Sequence, residues 1–304
     1  MMAKGPLTDE PLTGIVAAME EEAVDLRARI VGARAASLRS ARITLGRLGG
    51  ARVALAVTGD GERNARRGLV ELLASAPMSR IIVAGVAGAL SPTLEAGALV
   101  AVGRAINESD GSVYAADPAL LDAATKACGG HRGVAVTATR IADTVAEKQR
   151  LLALAVAAET GVADHDPSRI WAVVDLESAA FAAAATRTGL PWVAVRAVSD
   201  TAADSVPALL NRSRDDGGAV RRASVLRGLL TNPTALRPLL ELRDRVRACA
   251  GRLADAVEMT LLGLQSTGAV SVRSTDVPAT DVSPTDVSRD AEPPGPRRMA
   301  RSEI

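Results

Sequence analysis

Short runs of β-branched and small apolar residues alternate along this chain with stretches rich in Ala, Leu and Arg. Nothing else in the sequence limits its fold so tightly. The apolar runs are Gly14–Met19, Arg52–Val57, Arg80–Ala84, Ala98–Ala105, Gly133–Thr137, Trp171–Val174 and Trp192–Val198. Helical patterns fall between them, as at Asn64–Ala74 and Ala179–Thr186. Strands separated by helices form βαβ units, which place helices on both faces of one sheet. The expected architecture is therefore α/β: a single domain of three layers, α/β/α, around a central mixed, mainly parallel sheet. In such sheets ligands bind outside the carboxyl ends of the strands. Polar groups gather at those predicted ends: Glu20-Glu21-Glu22, Asp175 with Glu177, and Ser199-Asp200.

Composition narrows the classes of function. Hydrophobic residues make up 48% of the 304, yet there are only one Phe, one Tyr and two Trp. The core must be built from Ala, Val, Leu and Ile. A net charge of +1 gives no electrostatic reason for a nucleic-acid partner. The scarcity of aromatic rings argues against binding single strands by base stacking. Cys128 and Cys249 are too few for a disulfide framework and read as buried thiols. Met1–Thr13 lacks the apolar region of a secretory signal, and no apolar run nears the ~20 residues of a membrane span. A cytoplasmic protein is expected.

The organisation reads as a flexible N-terminus over 1–13, one folded domain over 14–266 and a disordered tail over 267–304. The tail repeats Thr-Asp-Val at 275, 280 and 285 among prolines and cannot bury a core. Helices are expected over about 220–264. There Leu239, Val246, Leu253 and Val257 share a face, with Arg243, Arg245, Arg247 and Arg252 mostly elsewhere. Such a face packs on the domain or on a second subunit; peripheral contact with a membrane surface is the sharper alternative.

Taken singly, the motifs are weak. Glu20–Glu22 could simply charge a helix N-terminus. Asp175 and Asp200 could be helix caps. Gly59-Asp60-Gly61 is a turn that lacks both the dinucleotide fingerprint and the Lys-Ser/Thr of a P-loop. His131 and His165 sit in no metal-ligand spacing, so neither a zinc site nor a Ser-His-Asp triad is expected.

Taken together, the motifs carry a resemblance. Gly14-Ile15-Val16-Ala17-Ala18-Met19-Glu20-Glu21-Glu22 resembles the opening strand and acidic turn of the methylthioadenosine/adenosylhomocysteine nucleosidases, members of the nucleoside phosphorylase superfamily. The likeness continues through Thr58–Gly61 and Ile82–Leu99. It is strongest at Val174-Asp175-Leu176-Glu177-Ser178-Ala179-Ala180 and Val195-Arg196-Ala197-Val198-Ser199-Asp200. Within the superfamily, Ala142-Asp143-Thr144-Val145-Ala146-Glu147-Lys148 and the stretch from Val206 to Leu253 are similar to the hopanoid-associated phosphorylases, which are associated with removing adenine from an adenosylated hopane precursor.

The resemblance implies a nucleoside-phosphorylase-like fold and cleavage of the N-glycosidic bond of a purine nucleoside, small or lipid-linked. Phosphorolysis is the leading expectation, with phosphate as co-substrate and no other cofactor. Hydrolysis, or a module that binds a nucleoside without turning it over, are the alternatives. The bond breaks through a cationic, oxocarbenium-like sugar, and the departing purine needs a proton at N7. The resemblance assigns that proton to Asp200, beside Ser199, and the ribose hydroxyls to Glu177. It matches Glu22 to the carboxylate that orients or deprotonates attacking water, with Arg196 nearby. Ala18 and Met19 would line the sugar pocket with Leu176. The backbone at Ile141 and Ala142 would lie along the base, and Gly85 and Val86 would complete the site. The hydrolytic relatives usually carry serine where Val86 stands, and the hexameric phosphorylases carry arginine and serine at Val83 and Val86. A phosphate site would therefore have to come from elsewhere; Gly59 and Gly61 with Arg63 or Arg66 are the candidates, though those arginines equally suit an exposed helix face. Relatives share pocket residues between subunits, so a homo-oligomer is expected.

Overall fold

The computed structural model describes residues 10–159, 170–215 and 233–266, together with residues 224 and 229. The expected tail, most of the 220–232 stretch and the loop around His165 lie outside the described residues. In chain order the elements are β1 (Thr13–Ala17), α1 (Glu20–Arg29), β2 (Val31–Ser37), β3 (Arg42–Leu48), β4 (Ala51–Val57), α2 (Glu62–Ser75) and β5 (Arg80–Ala89). There follow β6 (Leu99–Asn107), β7 (Val113–Ala115), α3 (Pro118–Ala127), β8 (Arg132–Thr137) and α4 (Val145–Glu159). The last are β9 (Trp171–Asp175), α5 (Ser178–Arg187), β10 (Trp192–Asp200), the short α6 (Leu209–Arg212) and the long α7 (Leu236–Ser266).

All seven expected strands are present. Each is a run of small or β-branched residues, and β10 is buried along its whole length. The sheet is mixed. β4, β1, β5 and β10 run parallel to their neighbours, as do β6, β8 and β9. Antiparallel pairs supply the β2–β3–β4 meander and the joins β10–β6 and β5–β9. Those joins close a circuit, β5–β10–β6–β8–β9 and back to β5. β2 and β3 were not legible as strands. β2 reads VGARAAS, is exposed throughout and lacks any buried face, so the pattern of apolar and polar residues that marks a strand is missing.

The circuit decides where the site lies. Gly88 in β5 stands opposite Val174 of β9 on one side and Asp200 of β10 on the other. The carboxyl ends of β9 and β10 therefore meet near the carboxyl end of β5, which runs parallel to β1. Alanine-rich helices fit closely over this sheet. α5 buries five alanines and Phe181, the only Phe in the chain. α1, α3 and the C-terminal half of α7 pack together on the core. Leu253, Val257, Leu261 and Leu264 of α7 are buried there, each contributing on the order of 1.5–3 kcal/mol of apolar burial.

The apolar stripe of α7 is divided between two settings. Leu253 and Val257 are in the core, while Leu239 and Val246 face the cavity described below. No described helix is long and apolar enough to cross a membrane.

Candidate active site

The acidic run after β1 splits by environment. Glu20 pairs with Arg27 and Arg42 near the surface. Glu22, 2% exposed, turns inward. One of its oxygens accepts from the main-chain N–H of Ala18 (3.1 Å) and Met19 (2.9 Å), the other from that of Val86 (2.9 Å). Three N–H donors from two elements leave this carboxylate little freedom. Burial nonetheless raises its pKa, against the opposing pull of the Arg196 charge and those N–H groups. The reading of Glu20–Glu22 as mere helix-end charge fits Glu20 but not Glu22.

The turn after β9 divides its two acids in the same way. Asp175 caps α5: its Oδ1 accepts from Thr137 Oγ1 (2.9 Å) and from the N–H groups of Glu177 and Ser178 (3.3 and 3.1 Å). Its Oδ2 lies 2.8 Å from Arg196 Nη2. Glu177 points the other way and accepts from the Gly61 N–H at 2.8 Å. Burial, helped by the negative charges of Asp175 and Glu22, pushes its pKa up to about 8.

Asp200 ends β10 at an irregularity in its pairing with β5. Ser199 Oγ lies 2.6 Å from Asp200 Oδ1. Asp200 Oδ2 sits where a Cβ on Gly88 would come within 2.9 Å, so glycine is needed there. The same oxygen accepts from Lys148 Nζ at 2.5 Å, and that ammonium also donates to the Thr201 carbonyl (2.6 Å). Lys148 is 1% exposed. As a site residue it went unread. Its signal was present: it shares the buried face of α4 with Leu151 and Ala155, an apolar stripe in which a lysine needs a partner.

Glu22, Glu177 and Asp200 open onto one cavity of about 950 Å³. Ala18, Met19, Val86, Leu176 and Ser199 are on its wall, as are Ile141, Ala142 and Gly59. Four expected contacts are placed elsewhere. Gly85 is not on the wall; it is a spacer, since a Cβ there would fall 2.1 Å from Arg196 Nη1 and 2.9 Å from Glu22 Oε1. Arg196 lies behind that layer, 1% exposed, and also donates to Ser178 Oγ (2.8 and 3.1 Å). It acts on the acids by charge and does not touch the cavity. Gly61 and Arg63 are likewise absent from this wall, and Arg63 lines a separate cleft with Arg66, Arg140 and Arg214.

The expected phosphate turn is therefore not assembled. Gly61 gives its N–H to Glu177, and Gly59 gives its own to the Ala18 carbonyl (2.9 Å). A phosphate nest needs those N–H groups pointing at the anion. The base edge also differs in detail. Asn211 takes both main-chain groups of Ile141, donating to its carbonyl (2.8 Å) and accepting from its N–H (3.0 Å). Ile141 is thus held by Asn211, its N–H engaged and its carbonyl keeping one lone pair, and Ala142 beside it is also on the wall.

The mouth of the cavity is formed by other parts of the chain. Leu38–Arg42 of the β2–β3 turn lie on one side; Leu239, Leu242 and Val246 of α7 lie on another, with Val206 and Leu210 nearby. His131 is remote from this chemistry, packing edge-on against Trp171 with ring centroids 3.9 Å apart. Cys128 and Cys249 are both buried free thiols, and burial pushes Cys128 up to about 12.

Residues 13–231 match the family described as the Phosphorylase superfamily. The 5'-methylthioadenosine/S-adenosylhomocysteine nucleosidase of Geobacillus kaustophilus is 29% identical over 214 residues, covering 62% of this chain and 84% of that protein. The protein of the same name from Anoxybacillus flavithermus is 30% identical over 213 residues with the same coverage. Among solved structures, the Neisseria meningitidis 5'-methylthioadenosine/S-adenosylhomocysteine nucleosidase in complex with methylthio-immucillin-A superposes with a TM-score of 0.62 at 20% identity, over 83% of this chain and 99% of that one. The futalosine hydrolase of Helicobacter pylori gives 0.61 at 13% identity, over 83% and 97%. At these identities the superpositions speak for the fold.

Proposed function

From a chain that belongs to the Phosphorylase superfamily, we propose an enzyme that hydrolyses the N-glycosidic bond of an adenosine-type purine nucleoside, with water rather than phosphate as acceptor. The observation that carries this reading is the convergence of Glu22, Glu177 and Asp200 on one cavity. The related nucleosidases of similar sequence support the choice of water. So does the site itself. Gly59 and Gly61 have their N–H groups engaged within the protein and Arg196 is engaged by Asp175, so none of these groups is aimed at a phosphate. The reading of phosphorolysis loses its expected phosphate site.

The roles follow from charge. As the bond to N9 lengthens, electrons flow into the purine and positive charge grows on the ribose ring. Asp200 gives N7 a proton, so that the base leaves neutral. Glu177, fixed by the Gly61 N–H, accepts from the ribose hydroxyls. It is largely protonated near neutral pH, and a developing cation favours its ionised form, so its attraction is stronger in the transition state than in the ground state. Glu22 takes a proton from the attacking water; its raised pKa makes it a stronger base than an exposed carboxylate. Ala142 offers the main-chain edge to the purine. A purely binding module has no use for a buried acid at the base edge.

The 5' substituent is the finer question. Leu239, Leu242 and Val246 line the cavity with Val206 and Leu210. That apolar side supports a nucleoside with an apolar 5' group, and the adenosylated hopanoid precursor is the extended form of this reading. The test is product analysis by mass after incubation with methylthioadenosine and with adenosine, each with and without phosphate. Adenine and free sugar at equal rates in both buffers are expected. A sugar phosphate, or adenine only when phosphate is present, would return phosphorolysis.

A further inference from the structure

Asp200 must be protonated to act, yet its Oδ2 receives a hydrogen bond from a buried ammonium. In that state the carboxylate is ionised and has no proton to give. The cationic donor on it is Lys148, whose Nζ lies 2.5 Å from Oδ2. We propose that Lys148 supplies the proton that Asp200 passes to the leaving purine. Lys148 is a positioning residue that acts through Asp200 and does not touch the substrate. This rests on the proposed nucleoside cleavage.

The balance is simple. The Nζ–H bond breaks and an O–H bond forms on Asp200. That O–H breaks in turn as N7–H forms, and the electron pair of the C1'–N9 bond passes into the base. Lys148 is left neutral and regains its proton after the products depart. A buried amine suits this task because it changes charge readily, which a guanidinium does not.

The geometry favours delivery over a merely structural pair. Lys148 Nζ is fixed twice, by Asp200 Oδ2 and by the Thr201 carbonyl. Gly88 leaves room for the carboxylate where any Cβ would crowd it. Asp200 also has Ser199 Oγ on its other oxygen, so the acid is held at both ends. The groups that face the pair come from three further places. Asp204, beyond β10, feels the Lys148 charge and is itself bonded to Arg245 of α7. Cys249 of α7 feels Asp200 and Arg252. Glu147, next to Lys148 on α4, is paired outward with Arg140 and Arg150.

The experiment compares two leaving groups in the full-length protein. Adenine needs a proton to depart; p-nitrophenolate, from p-nitrophenyl ribofuranoside, does not. Their rate ratio cancels the titrations of Glu22 and Glu177, which serve both substrates. Lys148→Met is expected to lower adenine release about 10²-fold or more at about pH 8 while leaving p-nitrophenolate release within about threefold. At about pH 5.5 the loss for adenine is smaller, because solvent protons can load the carboxyl directly. Lys148→Arg keeps the charge but cannot release a proton, and is expected to restore little adenine release. Lys148→Gln, which retains a donor to Asp200, provides the same comparison if the Met variant does not fold. Equal losses for both leaving groups would make Lys148 structural and overturn the proposal, as would full rescue by arginine or an unchanged rate ratio. If the wild-type protein released neither adenine nor p-nitrophenolate, the proposed function itself would fall instead.

Discussion

The floor and the mouth of the cavity are built on different principles. On the floor, Glu22, Glu177 and Asp200 stand at or just beyond the ends of β1, β9 and β10, each buried and each bonded to main-chain or side-chain partners. At the mouth, Leu239, Leu242 and Val246 are only half-buried and come from the first turns of a helix whose second half is in the core. Under the proposed function, the groups that would meet the reacting atoms are locked by the sheet. Those that would meet the variable end of the substrate sit on an element anchored elsewhere. The contrast implies that chemistry and substrate choice can be changed separately.

The largest effect should come from the floor. Asp200→Asn is expected to reduce adenine release from methylthioadenosine by about 10³-fold, within the range for loss of a general acid, with little change in affinity for free adenine. Steady-state release and adenine titration check both parts. If Leu242→Ala cost as much, the division would be wrong.

The next effect concerns stability, within α7. Leu253→Ala is expected to destabilise the protein by about 2–5 kcal/mol, the usual cost of a core cavity, without altering the preference between adenosine and methylthioadenosine. Denaturant unfolding and paired kcat/KM values measure this. Leu242→Ala should do the reverse, with stability nearly unchanged and the preference for the apolar 5' group down by about three- to tenfold, or about 1 kcal/mol of lost apolar contact.

Glu177 sharpens the comparison through pH. Its folded pKa, about 8, stands above the ordinary 4.5. The native state therefore holds a proton that the unfolded chain releases between those values. Stability from this group is complete below about 4.5 and is lost as pH rises toward and through 8. Glu177→Gln, neutral at every pH, should raise the thermal midpoint by a few degrees at about pH 9 and change it little at about pH 4.5, while lowering kcat. A midpoint gain that was the same at both pH values would remove burial of a titrating acid as its cause.

Much of the floor was legible because it lies in short local motifs. β1 followed by Glu22, β9 followed by Glu177 and β10 ending in Asp200 each carry the strand and its acid within a few residues. Hydrophobic pattern alone did not say which acid of each cluster turns inward; the family resemblance did, by matching Glu22 and Glu177. Asp175 and Glu177 are two residues apart, and only the packed turn makes one a cap and the other a cavity wall. The roles expected for Gly61 and Arg63 failed for a related reason: a glycine turn shows nothing of which partner takes its N–H groups.

By itself the sequence determined the alternation of strands and helices, the aliphatic core and the acids at the strand ends, since all three depend on neighbours along the chain. Only the tertiary structure decided that Gly88 stands between β9 and β10, that Lys148 reaches Asp200 across 52 residues and that α7 walls the cavity. Those are long-range contacts, and hydrophobic periodicity says which face of an element is buried but not what it is buried against.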